Sequence, residues 1–185
     1  MSVNIPNSLT LLRIALIPCF AGLSYLRAPW GTLVAAAVFG LAALTDWLDG
    51  YLARRLGQIS RLGAFLDPVA DKLMVAVVLI VLLQQHPSLW LASPAAVIIG
   101  REIAISALRE WMAELGARQR VAVSIVGKIK TTVQMIALVL LVLRDPIRGL
   151  PVFELGMVLL YVATILTLWS MTLYLRAAWP DLTRD

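Results

Sequence analysis

Thr45–Lys72 reads TDWLDGYLARRLGQISRLGAFLDPVADK. Four carboxylates stand in it, Asp46 and Asp49 three residues apart, Asp67 and Asp71 four apart. On a helix such spacings put both members of a pair on one face. Apolar sequence flanks the segment on either side, so the first pair closes one helix and the second opens the next, with a short basic loop between them. Folded back as an antiparallel hairpin, the two helices bring all four carboxylates to the same end. Gly50, Ala53 and Gly63 lie beside them, small residues that let backbones approach closely.

The flanking sequence decides the solvent. Of 185 residues, 61% are hydrophobic and 15% charged, with a mean hydropathy of +0.87. Soluble domains carry about a quarter charged residues, so an ordinary soluble globular class is excluded. Six apolar spans can be drawn, at 8–27, 31–51, 63–84, 90–114, 121–143 and 152–177. Pro29 and Gly31, Pro87 and Ser88, and Pro146, Gly149 and Pro151 mark three of the turns between them. Each span is long enough to cross a hydrocarbon core of about 30 Å. Backbone polar groups in lipid must pair within the segment, which makes the spans helices. Val75–Leu83 lacks the polar–apolar alternation of a membrane barrel strand. The expected fold is all-α and integral to the membrane: a six-transmembrane-helix bundle forming one domain over 1–185. The N-terminus does not read as a cleaved signal peptide, and the single cysteine, Cys19, has no partner for an intrachain disulfide.

Basic residues set the orientation. With the N-terminus in the cytoplasm, the cytoplasmic connections hold Arg54, Arg55, Arg61, Arg109, Arg118, Arg120, Arg176 and Arg184, against Arg27, Arg144 and Arg148 on the other side. Eight against three predicts both termini in the cytoplasm. Trp30, Trp90, Trp111 and Trp179 fall at span ends and read as an interfacial aromatic belt. The net charge of +5 suits an anionic lipid surface.

In the first span, Asn7, Thr10 and Arg13 recur every three residues and share a helix face beginning near Ser8. Two readings compete: an entry helix with Arg13 snorkelling to headgroups, or a polar stripe facing a nucleotide or headgroup. Pro18 is a candidate kink in this helix.

An ionised Asp at a helix centre costs about 2.5–3.5 kcal/mol, so four cost on the order of 10 kcal/mol before compensation. Mutually repelling carboxylates also demand counter-charge. Two divalent cations provide it, and hard carboxylate oxygens suit Mg²⁺, or Mn²⁺, which also takes substrate phosphate as a ligand. Two such ions can polarise a phosphoryl group and stabilise attacking and leaving oxygens. Spacing alone leaves two rivals open. One is interfacial salt bridging to Arg54, Arg55, Arg61 and Lys72, and the other is an ion pathway such as a divalent-cation transporter.

The segment Asp46-x2-Asp49-Gly50-x2-Ala53-Arg54-x8-Gly63-x3-Asp67-x3-Asp71 resembles the signature of the CDP-alcohol phosphotransferase family at every fixed position and gap. NIPNSLTLLRI, REIAISALREW and VGKIKTTVQM extend the resemblance over about Asn4 to Met135, while the remainder matches only as hydrophobic helix. The resemblance implies that Asp46, Asp49, Asp67 and Asp71 hold two metal ions in a cavity facing the cytoplasm, and that Asp71 is also the general base. It implies contacts from Gly50, Ala53 and Arg54 to the cytidine diphosphate, with Ser60, Asn7 and Thr10 as further CDP-lipid-binding residues. It implies CDP-diacylglycerol as donor and glycerol 3-phosphate as acceptor, with phosphatidylglycerol or inositol phosphate as alternative acceptors for the same chemistry. A homodimer in the bacterial cytoplasmic membrane, among its lipids and without nucleic acid, completes the expectation.

A second polar cluster interrupts spans four and five. Arg101 sits mid-span and Arg109 follows on the same helix, while Lys128 and Lys130 open the next. These four are the expected acceptor-phosphate-binding residues, with Glu102 and Glu110 available to neutralise cations locally. A phosphomonoester, with its charge of about −1.5 to −2, suits two or three such cations. His86 is expected to be a bland turn residue, Cys19 a small core residue, and Met74, Met112, Met135, Met157 and Met171 packing residues.

Overall fold

The computed structural model describes residues 5–26, 30–56, 61–116, 125–145 and 149–182. Within these, side chains at 5–7, 46, 47, 49–56, 61, 62, 64, 125, 126, 128, 181 and 182 fall outside the description. Six helices follow in order: α1 (Ile5–Ser24), α2 (Gly31–Leu56), α3 (Arg61–Gln85), α4 (Leu89–Glu114), α5 (Ile125–Leu143) and α6 (Val152–Leu182). The chain is all-helical among the described residues. α4 and α6 (over Leu89–Glu114 and Val152–Pro180) are long and apolar enough to cross a membrane.

The helices match the predicted spans closely, with differences at their ends. α1 starts earlier than the expected Ser8 and runs through Pro18 as one helix. α2 continues past its carboxylates to Leu56, so Arg54 and Arg55 belong to the helix and not to the loop. α6 extends five residues beyond the predicted 177, to Leu182. Ser88 caps α4, its hydroxyl accepting from the Leu91 amide at 3.3 Å and satisfying one of the first-turn donors. Gly116 just past its other end takes a φ of +70°, a left-handed conformation that costs glycine little.

The broadest interfaces are α5 on α6 and α1 on α2, with α3 packed against α1, α4 and α5. At the α5–α6 crossing, a Cβ on Gly156 would come within 2.9 Å of the Leu141 side chain and 3.1 Å of its backbone nitrogen. Close backbone approach of this kind holds helices together where lipid gives no hydrophobic drive. The main apolar core gathers Phe20, Phe39, Leu79, Leu82, Leu91, Ile98, Leu138, Leu141 and Leu160. Those residues lie towards the end of the bundle where α3 hands over to α4. The buried polar side chains Thr10, Arg13, Arg101 and Lys130 belong to the opposite half.

Outside, Ile80, Ile103, Val158, Ile165 and Trp169 are exposed, an apolar exterior consistent with lipid contact. Trp30, Trp90, Trp111 and Trp179 are exposed near helix ends. Cys19 departs from expectation: it is exposed on α1 and not a core residue. Thr10 and Arg13 mark the inward face of α1, and Cys19, nine residues on from Thr10, falls on the opposite side. Met74 and Met112 are buried as packing residues. His86 stacks on Phe153 with centroids 5.0 Å apart. Burial, and then the nearby Arg144 charge, hold His86 below its ordinary pKa, which fits its neutral role.

Candidate active site

Asp67 and Asp71 occupy successive turns near the start of α3. α1 runs alongside and turns its polar stripe onto them. Thr10 Oγ1 donates to Asp67 Oδ1 at 2.5 Å, and Arg13 Nη1 donates to Asp71 Oδ1 at 3.2 Å. Thr10 is 0% exposed and Arg13 1%, so Arg13 does not snorkel; it points into the protein and supplies counter-charge to a carboxylate. The snorkelling reading of Arg13 is thereby set aside, and the surface that Thr10 and Arg13 meet is α3.

A second wall comes from α4, α5 and α6. Glu102 Oε1 accepts from Lys130 Nζ at 2.6 Å and from Arg101 Nη1 at 3.0 Å, so one carboxylate pairs two buried cations. Arg101 also donates from Nη2 to Ser170 Oγ at 2.9 Å. Arg109 donates from Nη2 to the Tyr174 hydroxyl at 2.8 Å. The two guanidiniums stand 5.6 and 5.0 Å from the centroid of the Tyr174 ring. Cation–π attraction of this kind is worth about 0.5–2 kcal/mol where water is excluded.

Between the walls lies a cavity of about 310 Å³. Asp67, Asp71 and Lys72 line it from α3, and Glu102 and Arg109 from α4. Lys130, Thr131 and Gln134 line it from α5. Acidic and basic groups that are far apart in sequence thus share one polar space in an otherwise apolar bundle.

Of the residues singled out from sequence, Asp67, Asp71, Arg109 and Lys130 meet at this cavity, and Thr10 supports it through Asp67. Arg101 stands behind it, held by Glu102 and Ser170. Side-chain placement at Asn7, Asp46, Asp49, Gly50, Ala53, Arg54 and Lys128 lies outside the described residues, as does Ser60 altogether. Glu110 is exposed, leaving Glu102 as the local counter-charge. Sequence reasoning did not find the cavity roles of Lys72 and Gln134, nor those of Ser170 and Tyr174 behind the wall. For the uncharged ones the available signal was a polar side chain within an apolar helix.

Among the described residues no three carboxylate, Cys or His side chains converge on one point. Asp67 and Asp71 are the described half of the expected metal set. Their chemistry fits, since both are hard oxygen donors, one turn apart, lining the same cavity. A helical bundle whose polar cavity sets Asp67 and Asp71 near Arg109 and Lys130 has the charges that a phosphorylated ligand and its counter-ions would call for.

Comparison with known proteins agrees with that class. The family model of CDP-alcohol phosphatidyltransferases matches residues 3–169. The chain is 58% identical over 184 residues to a CDP-diacylglycerol–glycerol-3-phosphate 3-phosphatidyltransferase of Pseudomonas fluorescens, covering 99% of this chain and 94% of that one. Proteins of the same name from Salmonella paratyphi A and Escherichia coli are each 54% identical over 182 residues, covering 98% of both chains. The chain belongs to the CDP-alcohol phosphatidyltransferase family.

Proposed function

We propose that the protein transfers the phosphatidyl group of CDP-diacylglycerol to glycerol 3-phosphate, giving phosphatidylglycerophosphate and CMP. The observation that carries the reading is the shared cavity, with Asp67 and Asp71 on one wall and Arg109 and Lys130 on another. The names of its near-full-length relatives support the same donor and acceptor.

The primary hydroxyl of the acceptor attacks the phosphorus on the lipid side of the pyrophosphate. The bond from that phosphorus to the bridging oxygen breaks, CMP leaves with the bridging oxygen, and the hydroxyl proton passes to Asp71. Arg13 holds Asp71 in place for this, and Thr10 does the same for Asp67. Arg109 and Lys130 bind the acceptor's phosphate, and Arg54 meets the donor pyrophosphate. Two divalent ions held by Asp46, Asp49, Asp67 and Asp71 supply Lewis-acid polarisation of the phosphoryl group and charge stabilisation. Catalysis comes mainly from positioning and electrostatics. The bundle spans the bacterial cytoplasmic membrane six times with the cavity open to the cytoplasm, so the donor keeps its acyl chains in lipid while a soluble acceptor enters from water.

The test is CMP release by purified protein with Mg²⁺, CDP-diacylglycerol and a panel of acceptors. Glycerol 3-phosphate is expected to lead, and a chelator to abolish release. Faster release with inositol phosphate, phosphatidylglycerol or free glycerol overturns the acceptor assignment.

A further inference from the structure

Gln134 is 3% exposed, and its Oε1 is buried without a hydrogen-bond partner. It sits one helical turn beyond Lys130 on α5, in the wall of the cavity that Asp71 and Arg109 also line. Buried polar atoms in folded proteins nearly always pair, and leaving an acceptor unmade is costly. Packing alone does not call for an amide there, because the neighbouring Met135 lines the same cavity with an apolar side chain. The oxygen lies just beneath the cavity surface, and a turn of the terminal amide about χ3 brings it to the cavity, where a donor arriving with the ligand pairs it.

The acceptor brings three groups into this space, on the reading given under Proposed function, on which this inference rests. Its phosphate goes to Lys130 and Arg109, and its reacting primary hydroxyl goes to Asp71. The secondary hydroxyl is left, and it is a donor. One turn of α5 separates Lys130 from Gln134, about 6 Å of axial rise, a span that a three-carbon phosphate can bridge. We propose that Gln134 is a specificity-determining residue whose Oε1 accepts a hydrogen bond from the acceptor's non-reacting hydroxyl. A site built to pair a hydroxyl discriminates against the analogue lacking it, because its own buried group is then left unpaired.

The experiment measures CMP release by wild type and Gln134→Met, each with glycerol 3-phosphate and with 3-hydroxypropyl phosphate, the same three-carbon phosphate without the secondary hydroxyl. Wild type is expected to favour glycerol 3-phosphate by about 10- to 100-fold in kcat/KM. Gln134→Met is expected to lose most of that preference through a fall on glycerol 3-phosphate alone. A structural role for Gln134 lowers both acceptors alike and leaves the ratio intact; that result overturns the assignment. So does a wild type that uses both acceptors equally, and this arm stands even if Gln134→Met does not fold. A wild type that turns over neither acceptor sinks the acceptor reading itself, an outcome distinct from an unchanged ratio.

Discussion

Arg13 and Asp71, 58 residues apart in sequence, form an ion pair at 3.2 Å in which the guanidinium is buried and the carboxylate faces the cavity. A carboxylate meant to take a proton has to be held still, and this pairing fixes its position. Asp71→Asn keeps the shape and the acceptor oxygen but cannot take the proton. Turnover is expected to fall to a few per cent or less, with binding of CDP-diacylglycerol largely retained. Residual turnover above about a tenth of wild type removes Asp71 from the role of base, since general-base contributions are typically 10²–10⁴-fold.

Truncating Arg13 tests the other side of the pair. Removing one member of a fully buried pair costs about 3–5 kcal/mol. Asp71 retains 39% side-chain exposure, so water screens part of the loss. About 1–3 kcal/mol is expected for Arg13→Ala, read as a lowered unfolding temperature in detergent together with reduced kcat. An unchanged unfolding temperature means that the pair contributes nothing to holding α1 on α3.

Tyr174 contributes a hydroxyl and a ring, and the two can be separated. Tyr174→Phe removes the hydrogen bond to Arg109, a charge-assisted contact worth about 1.5–3 kcal/mol. The KM for glycerol 3-phosphate should rise roughly 5- to 50-fold, with the KM for CDP-diacylglycerol little changed. Tyr174→Leu also removes the cation–π face for Arg101 and Arg109 and is expected to be worse again. Equal losses on donor and acceptor mean that Tyr174 acts through general packing.

Topology follows from the eight-to-three basic bias. A reporter at Asp185 is expected in the cytoplasm, and a cysteine label at Gln85 is expected to react from the opposite side. Cytoplasmic reactivity at Gln85 inverts the orientation and carries the cavity to the other face.

The helices were legible because charge and proline interrupt long apolar runs, and the observed ends fall within a few residues of the predicted ones at most places. Asp67 and Asp71 were legible for the same reason: a carboxylate stands out where ionisation is expensive. The facing of individual side chains was not. Residue type alone placed Cys19 in the core, whereas the Thr10 and Arg13 face that turns inward leaves it outside. Arg13 was read as meeting headgroups or a nucleotide, and its pairing with Asp71 was not legible because that carboxylate sits on another helix. Gln134 and Tyr174 escaped notice because an uncharged polar residue in an apolar span carries no obvious penalty until its surroundings are known. Glu102 was foreseen as a local neutraliser, and it pairs with both Arg101 and Lys130.

Ser170 holds Arg101, and Tyr174, a turn further on, holds Arg109. Both braces stand on α6, so one helix sets the aim of two guanidiniums that α4 carries. Asp67 and Asp71 take their own support from α1, through Thr10 and Arg13. The basic and acidic walls of the cavity are therefore steered from separate helices, and a shift of α6 re-aims one while the other keeps its place.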